Sequence, residues 1–317
     1  MRIAILGGTQ FIGRAIADRL VSEGHRLLLV HRGEHEPDGL PEAEHAHVDR
    51  HDAEALAKAV APFEAEAAVD VSGMNAVAAD AALGAFGADV RLVAISSCDV
   101  YRAYQALHAG WTSDPLPLDE DARLRDQRFV DGPQYENLEL EERYLPRGAT
   151  VLRLGAVYGE HDYQRRFEFI LRRLRAGRRR IPVGSGQFLF SRVYVGDVAA
   201  AVSLALVGGY RGEAFNLAER LTAPYRLFAE QILEAADATG VELVRVPDDR
   251  LPSDLELTGV LTQHLLVDSA KARDALGWRE SDATAMLRRS VRWHLDHPPA
   301  EEDLDWSADE AALAAAG

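Results

Sequence analysis

The sequence predicts an α/β fold in which helices cover both faces of a parallel sheet. Short apolar runs alternate with segments of helical periodicity through the first half of the chain, as in repeated strand–helix–strand units. The run at residues 2–6 passes directly into a glycine-rich turn and a helix. At 317 residues the chain is long for one compact unit. We therefore expect a doubly wound parallel sheet of the Rossmann type and a smaller, mostly helical C-terminal substrate lobe.

The glycine-rich turn, GGTQFIG, is followed by the first helix and by a second strand at residues 27–30. In such a unit the helix N-terminus offers free backbone N–H groups and a positive dipole end to a pyrophosphate. Gly7 permits the tight turn, and Gly13 lets the helix pack against the strand. Gln10 replaces the middle glycine, so its side chain must point away from the phosphates or donate to them. The predicted cofactor contacts in this turn are Gly7, Thr9, Gln10, Phe11, Ile12 and Gly13.

The residues after the second strand indicate which dinucleotide binds. His31, Arg32 and Gly33 follow the strand, and no acidic residue occurs before Glu34. An NAD site usually has a carboxylate here for the ribose hydroxyls, whereas an arginine suits a 2′-phosphate. Arg14, just inside the first helix, adds a second positive charge nearby. The predicted cofactor is therefore NADP, with NAD as the alternative.

Composition restricts the class of partner. The net charge of −16 argues against nucleic acid or an anionic membrane surface as the main partner. Cys98 is the only cysteine, so no disulfide can form within the chain and a cytoplasmic location is expected. The first residues enter a strand at once and no apolar run reaches about 18 residues, so neither a signal peptide nor a membrane span is expected. A small molecule is the expected ligand.

The nucleotide-binding domain is expected at residues 1–158, with residues 190–217 returning to it. The substrate-binding lobe is expected at residues 159–189 and 218–317. Three further expectations concern local structure. These are a long polar connection at residues 102–133, a turn at residues 181–186, and mainly helical structure at residues 221–300.

Ligands of an open parallel sheet lie outside the carboxyl ends of its strands. Ser97 ends the fifth predicted strand and Tyr135 lies on a helix, and we expect the two to meet over one pocket. Other predicted cofactor contacts at strand ends are Asp49, Arg50, Ser72, Gly73, Met74, Leu154 and Val157.

Two other groups of residues admit a chemical interpretation. His45 and His47 have a metal-like spacing, but the sequence indicates no other ligand nearby, so they are interpreted as structural and no metal is expected. The run RRR at residues 178–180 is interpreted as a solvated basic face beside acidic neighbours, with an anionic-substrate clamp as the alternative.

Seven motifs occur in order along the chain: GGTQFIG, SSCDVY, a tyrosine beginning an acidic helix, LRLGAVYG, RVYVGDVAAAV, AFNLAE and VDSAKARDALGW. As a set they resemble the extended short-chain dehydrogenase/reductases, and in particular their NAD-dependent epimerase/dehydratase branch. The resemblance covers about residues 1–295 and implies a bound nicotinamide cofactor. It implies that Ser97 is the substrate-facing hydroxyl and Tyr135 the catalytic phenol, and it leaves a homodimer open.

One departure from the family concerns the catalytic phenol. Glu139 stands where the family has a lysine that binds the ribose and lowers the pKa of the tyrosine. Exchanging a cation for an anion about 6 Å away changes the interaction by roughly 5 kcal/mol at an effective dielectric constant of about 20. We therefore expect Tyr135 to act as a hydrogen-bond donor rather than as a base. Glu139 could still accept hydrogen bonds from the ribose hydroxyls.

Further departures concern the substrate. Phe190 stands where nucleotide-sugar enzymes of the family have a diphosphate-binding arginine, and Ala156 replaces a frequent asparagine. A small non-nucleotide substrate is therefore expected. Asp99, two residues after Ser97, matches the acid/base position of the sugar-nucleotide dehydratases, although it could instead cap the turn after the strand.

Three functions stay open at this stage. The first is an NAD(P)-dependent oxidoreductase, epimerase or dehydratase acting on a hydroxy or carbonyl compound. The second, favoured by Glu139, is a cofactor-binding sensor that has lost hydride transfer. The third is RNA binding, because some relatives with the same GGTxFIG opening bind RNA in chloroplasts, but the charge of −16 opposes it.

Overall fold

The computed structural model describes residues 1–73, 75–128, 136–300 and 305–316. The strands are β1 (Arg2–Leu6), β2 (Arg26–His31), β3 (Glu44–His47), β4 (Ala67–Asp70), β5 (Arg91–Ser97), β6 (Thr150–Leu154), β7 (Ala156–Tyr158), β8 (Arg180–Val183), β9 (Arg192–Tyr194), β10 (Ala214–Leu217) and β11 (Glu242–Arg245). The α-helices are α1 (Phe11–Ser22), α2 (Ala53–Val60), α3 (Ala76–Ala85), α4 (Arg102–Ala109), α5 (Asn137–Tyr144), α6 (Glu168–Arg175), α7 (Val195–Gly208), α8 (Tyr225–Ala235), α9 (Ala283–Asp296) and α10 (Ser307–Ala314).

Seven of the described strands form one parallel sheet in the order β10-β6-β5-β4-β1-β2-β3. The order reverses between β1 and β4, which is the topological switch point where ligands bind in doubly wound sheets. This sheet confirms the predicted Rossmann-type α/β fold. The glycine-rich turn and the end of β4 both lie at that point.

Alternate residues of β1 enter two separate cores. Ile3 and Ile5 pack on one face with residues of α1 and α7, while Ala4 and Leu6 pack on the other with residues of α2, α3 and α5. All four side chains are buried. Because a fully buried isoleucine contributes about 2 kcal/mol, a strand apolar on both faces stabilises the middle of the sheet.

Two expectations about the connections are wrong. Residues 102–133 are not a continuous polar connection, because α4 forms at their start, buries Ala103 and Ala106, and ends at Gly110 in a left-handed conformation. The expected turn at residues 181–186 begins in β8, which pairs with β11 in a separate parallel sheet. The residues expected to form the C-terminal lobe therefore contain a two-stranded sheet in addition to α6, α8, α9 and α10.

Ion pairs attach the C-terminal helix α10 to α6 and to the residues that follow α6. Arg173 is completely buried and donates to Asp254 and to Asp309, the latter at 2.7 and 2.8 Å. Arg178 and Arg180 pair with Glu310 and Glu242 respectively. Within the described ranges, no helix is both long enough and apolar enough to cross a membrane.

Candidate active site

The glycine-rich turn is closed so tightly that side chains cannot enter it. Gly7 has φ +89°, and a Cβ placed on it would lie 2.8 Å from Ser72 Oγ. A Cβ on Gly13 would lie 1.9 Å from the carbonyl oxygen of Gly7. The first turn of α1 is thus pressed against the end of β1, as dinucleotide binding requires.

The N-terminus of α1 keeps its donors available. Gln10 is the N-cap residue in an extended conformation, and its side chain makes no capping hydrogen bond. Phe11, the first helical residue, is buried at φ +37°. A helix start without a side-chain cap suits an anion, because backbone N–H groups and the dipole both point toward it. Of the other predicted contacts in this turn, Thr9 is buried and Ile12 is half-buried.

The turn after β4 packs against the glycine-rich turn. Arg50 donates to both carboxylate oxygens of Asp70, at 2.7 and 2.6 Å, and to Ser72 Oγ at 2.9 Å. Tyr144 donates to the same carboxylate at 2.5 Å. Arg50 therefore braces this turn and does not offer a free cation. Asp70 and Tyr144 are supporting residues that the sequence prediction missed.

Of the remaining predicted contacts that the structure describes, Asp49, Gly73 and Leu154 lie at or just after the carboxyl ends of β3, β4 and β6, and Val157 lies in β7. Asp49 is exposed and accepts the backbone N–H of His51, which lowers the pKa of its carboxyl. Leu154 and Val157 are buried at the ends of β6 and in β7. A Cβ placed on Gly73 would lie 2.6 Å from Leu140 and 2.9 Å from Asp70, and Met74 lies outside the described residues.

The two arginines expected near a 2′-phosphate differ in setting. Arg32 is largely exposed and pairs with Glu34 at 2.9 Å. Arg14 instead donates to the carbonyl oxygen of Gly39 at 2.8 Å and fixes the loop after β2. Only Arg32 keeps a guanidinium that an incoming phosphate could reach by displacing an exposed partner.

Ser97 and Asp99 lie together at the carboxyl end of β5. Ser97 Oγ accepts the backbone N–H of Asp99 at 3.2 Å, so the serine caps the turn, not the aspartate. The Asp99 carboxylate accepts from Asn137 Nδ2 at 3.0 Å and lies 3.6 Å from Arg125. Because Ser97 Oγ is the acceptor in this contact, its hydroxyl hydrogen can still be donated to a ligand.

Burial raises the pKa of Asp99 to about 6. The hydrogen bond from Asn137 and the charge of Arg125 lower it, whereas Glu136 and Glu141 raise it. Arg125 is itself buried and donates to both oxygens of Glu136. Asp99 therefore stands in a low-dielectric, hydrogen-bonded setting suited to proton transfer near neutral pH.

Glu139, at the family's lysine position, is engaged on both oxygens. One oxygen accepts the backbone N–H of Ala76, the first residue of α3, at 3.0 Å. The other lies 2.8 Å from Arg128. A contact of Glu139 with the ribose stays a prediction. Tyr135, the predicted catalytic phenol, lies outside the described residues.

A buried polar network lies directly behind Ser97 and Asp99. Arg153 donates to both oxygens of Glu141 and, at 3.0 Å, to the hydroxyl of Tyr101. Ser96 donates to Glu141 at 2.6 Å, and Tyr101 donates to Asn216 at 2.7 Å. The network ties β5, β6, α5 and β10 together and fixes the strand end that carries Ser97.

The interpretation of His45 and His47 needs correction, because other ligand-type side chains do lie near them. His31, at the end of β2, is 2.9 Å from His45, measured from Nε2 to Nδ1. Glu36 forms a close ion pair with His47. Burial lowers the pKa of His31. The sequence could not indicate this group, since it depends on the register of β2 and β3 and on the path of the intervening loop.

With this geometry in place, comparison with known proteins identifies the family. The family model described as NAD dependent epimerase/dehydratase family matches residues 3–117 and 138–218. The chain belongs to this family. Membership supports a short-chain dehydrogenase/reductase-like enzyme that binds NAD(P).

Structures of similar fold include two enzymes of this type. The dTDP-glucose 4,6-dehydratase of Bacillus anthracis str. Ames, in complex with NAD, has a TM-score of 0.74 at 16% identity, covering 94% of this chain and 97% of the other. The UDP-glucose 4-epimerase of Thermotoga maritima, with UDP-glucose, has a TM-score of 0.71 at 18% identity, covering 93% and 99%. At these identities the likeness establishes the fold of this epimerase/dehydratase family member and no more.

A curated relative has a different description. The chloroplast stem-loop binding protein of 41 kDa b from Arabidopsis thaliana is 25% identical over 332 residues, covering 98% of this chain and 84% of the relative. This chain is thus similar in sequence to a protein named for binding stem-loops.

Proposed function

We propose that this protein is an NAD(P)-dependent oxidoreductase, epimerase or dehydratase acting on a small, non-nucleotide hydroxy or carbonyl compound. The observation that carries the proposal is the shared position of two groups. The uncapped start of α1 follows β1, and Ser97 ends β5 with Asp99 in the turn after it, both at the carboxyl edge of one parallel sheet. That edge is where cofactor and substrate meet in this fold.

The cofactor fits the residues present. The positions of Gly7 and Gly13 keep the turn free of side chains, and the backbone N–H groups after Gln10 would bind the pyrophosphate. When bound, the nicotinamide supplies or accepts a hydride. No acidic residue directly follows β2 in the sequence before Glu34, and the exposed guanidinium of Arg32 adds a positive charge there, which together favour NADP over NAD.

Asp99 and Ser97 have separable roles in this proposal. With a pKa of about 6, Asp99 would take or return a substrate proton near neutral pH. Ser97 accepts a backbone N–H, so its hydroxyl hydrogen is free to donate to a substrate oxygen. Asn137 is a positioning residue, since its amide holds the Asp99 carboxylate from the start of α5.

The inferred substrate class depends on what replaces the family's phosphate-binding residues. Phe190 stands at the position of the expected arginine. Arg192, two residues further on, is buried and lies over the ring of Phe228, with Cζ 3.6 Å from the centroid, while it donates to the carbonyl of Ala223. Its guanidinium therefore packs among buried aromatic rings, which favours a substrate without a diphosphate.

Cofactor content and turnover test the proposal in sequence. Mass spectrometry and absorbance of the material released from the purified protein should identify a nicotinamide dinucleotide. A panel of small hydroxy and carbonyl compounds, monitored at the nicotinamide band, should then contain a substrate. Ser97→Ala should lower its turnover about tenfold, the effect of one lost hydrogen bond. Bound cofactor without turnover on any compound would instead favour the sensor alternative.

The stem-loop binding relative gives a second candidate function. RNA binding depends mainly on phosphate contacts by basic groups, and the net charge here is −16. Mobility-shift titration with a stem-loop RNA at physiological salt decides between the two. Salt-sensitive, saturable binding without cofactor content would support the RNA-binding candidate and oppose the enzyme.

A further inference from the structure

Four side chains of metal-ligand type converge at the carboxyl ends of β2 and β3 and in the loop between these strands, away from Ser97 and Asp99. They are His31, Glu36, His45 and His47. One ligand atom from each residue lies within 4.8 Å of the ligand atoms of the other three. We refer to these four residues as the histidine cluster.

The register of the strands brings the histidines together. His31 is the direct cross-strand partner of His47, and His45 lies two residues before His47 on the same face of β3. β3 is the edge strand of the seven-stranded sheet, so no further strand of that sheet pairs with its outer side. Glu36 returns from the loop between β2 and β3 to complete the group.

The separations suit one four-coordinate ion. A tetrahedral Zn²⁺ with ligands at about 2.0–2.1 Å places them about 3.4 Å apart. His31 Nε2 lies 2.9 Å from His45 Nδ1 and 3.6 Å from Glu36 Oε1, and His45 Nδ1 lies 4.0 Å from Glu36 Oε1. The separations thus lie on both sides of the tetrahedral spacing, and none exceeds 4.8 Å.

The chemistry of the set selects the class of ion. Three imidazoles and a single carboxylate match the borderline-soft ions such as Zn²⁺, whereas Mg²⁺ and Ca²⁺ prefer oxygen ligands. We propose that the histidine cluster binds one divalent transition-metal ion of the zinc class. With all four positions filled by protein groups, this would be a structural site that fixes the β2–β3 loop to the sheet.

Binding requires one local rearrangement. Nδ1 of His31 accepts the backbone N–H of Gly33 at 3.1 Å, so the neutral ring carries its proton on Nε2, toward His45. Coordination through Nε2 moves that proton to Nδ1, and the Gly33 N–H must turn away. Gly33 has φ +79° on an exposed loop, where glycine can make that adjustment.

The exposure of the four residues identifies the most informative variant. The His47 side chain is 55% exposed, whereas that of His31 is 7% exposed. His47→Ala thus removes a ligand at little cost to the fold. His35→Ala is the matched control, because His35 is an exposed histidine one residue from Glu36 and outside the cluster.

The test uses the untagged full-length chain after treatment with a chelator. Calorimetric titration with Zn²⁺ should give one equivalent, and Co²⁺ should give the intense visible bands of tetrahedral coordination. His47→Ala and Glu36→Gln should each weaken Zn²⁺ binding at least tenfold, while His35→Ala should leave it unchanged. Circular dichroism checks that each variant folds.

Three results would overturn the proposal. The first is that the parent protein binds no stoichiometric Zn²⁺, and the second is that the double variant His45→Ala/His47→Ala binds Zn²⁺ as tightly as the parent. The third is that His35→Ala loses as much Zn²⁺ affinity as His47→Ala. Loss of NADP affinity in His47→Ala without metal binding to the parent would also overturn it, since the histidines would then serve a phosphate. Because metal titration needs no cofactor or substrate, the result is independent of the proposed function.

Discussion

Asn137 donates through its side-chain amide to both carboxylate oxygens of Asp99, at 3.0 Å in each case. The contact joins the first residue of α5 to the end of β5, and so joins the helix predicted to carry the catalytic phenol to the strand that ends in Ser97. It also fixes the orientation of a carboxyl whose pKa burial raises to about 6. The proposed acid/base chemistry therefore depends on a helix start as much as on the strand end.

Asp99→Asn should lower turnover of an identified substrate by about 10² to 10⁴, the usual contribution of a positioned general acid or base. The parent's rate should fall below about pH 6, where the carboxyl is protonated. Asp126→Asn is the matched control, because Asp126 is an exposed aspartate in the chain segment between β5 and α5 that also contains Asp99. A pH–rate profile unchanged in Asp99→Asn would remove Asp99 from the mechanism.

Stability gives an independent measure of the same carboxyl. Its folded pKa lies above the ordinary value of 3.8, so the protonated form is favoured in the folded state. The stabilising contribution of this carboxyl to the free energy of unfolding is therefore fully present below about pH 4 and is lost as pH rises through about 6. Asp99→Asn should flatten this dependence by about 2 kcal/mol in urea unfolding between pH 4 and pH 8.

Gly13→Val should abolish cofactor binding. A Cβ at this position would meet the Gly7 carbonyl at 1.9 Å, so the backbone of the pyrophosphate turn must move. Gly84→Ala is the control, since a Cβ on that helical glycine meets no atom within 4 Å. The control should bind cofactor normally and gain up to about 1 kcal/mol in helix propensity. A folded Gly13→Val protein that binds normally by calorimetry would refute the assignment of the turn.

NADP should bind more tightly than NAD. Arg32 exchanges an exposed pairing with Glu34 for a 2′-phosphate, so Arg32→Ala should weaken NADP about tenfold and leave NAD unchanged. Arg26→Ala, at the opposite end of β2, should change neither affinity. Calorimetry with both dinucleotides measures the ratio, and tighter NAD binding that is insensitive to Arg32 would reverse the assignment.

The sequence was most informative where structure is local. The run before Gly7, the turn and the helix after it are specified by neighbouring residues, so β1 and α1 could be predicted. β8 could not, because its residues become a strand only by pairing with β11, which is distant in sequence. α4 could not be predicted either, because its sequence is largely polar and its only buried residues are Ala103 and Ala106.

The same distinction applies to the site. Ser97 and Asp99 could be proposed from their position after a strand, but Asn137 could not, because its contact with Asp99 spans 38 residues of sequence. The histidine cluster was missed for a related reason. His31 and His47 become neighbours only through the register of the parallel strands β2 and β3, and the same holds for Leu29 and His45. The sequence shows only a polar loop between these strands, which does not specify their register.

The buried pair of Arg153 and Glu141 should be essential for stability. Both side chains are about 95% buried, with exposed fractions of 5% and 4%. Glu141→Gln would leave the guanidinium uncompensated and should cost about 3 kcal/mol. Glu142→Gln, the adjacent exposed residue, should change stability by less than about 0.5 kcal/mol. Urea unfolding compares the two, and equal effects would contradict a structural role for this pair.

Tyr135 should stay protonated throughout the neutral range, because Glu139 stands where the family places a cation. Glu139→Lys should lower the pH at which the phenol ionises, since an anion disfavours tyrosinate and a cation favours it. Ultraviolet difference titration, with Tyr135→Phe as the blank, measures this change.

Arg128, 2.8 Å from Glu139, makes a second variant necessary. Glu139→Gln removes the anion without adding a cation and leaves Arg128 without this carboxylate. If the parent already ionised near pH 7, a cation such as Arg128 would be supplying the charge of the missing lysine, and Arg128→Ala should then raise the pKa of the phenol. If the pKa of the phenol falls in Glu139→Lys and does not change in Arg128→Ala, Glu139 is the residue that keeps Tyr135 a hydrogen-bond donor and directs proton transfer to Asp99.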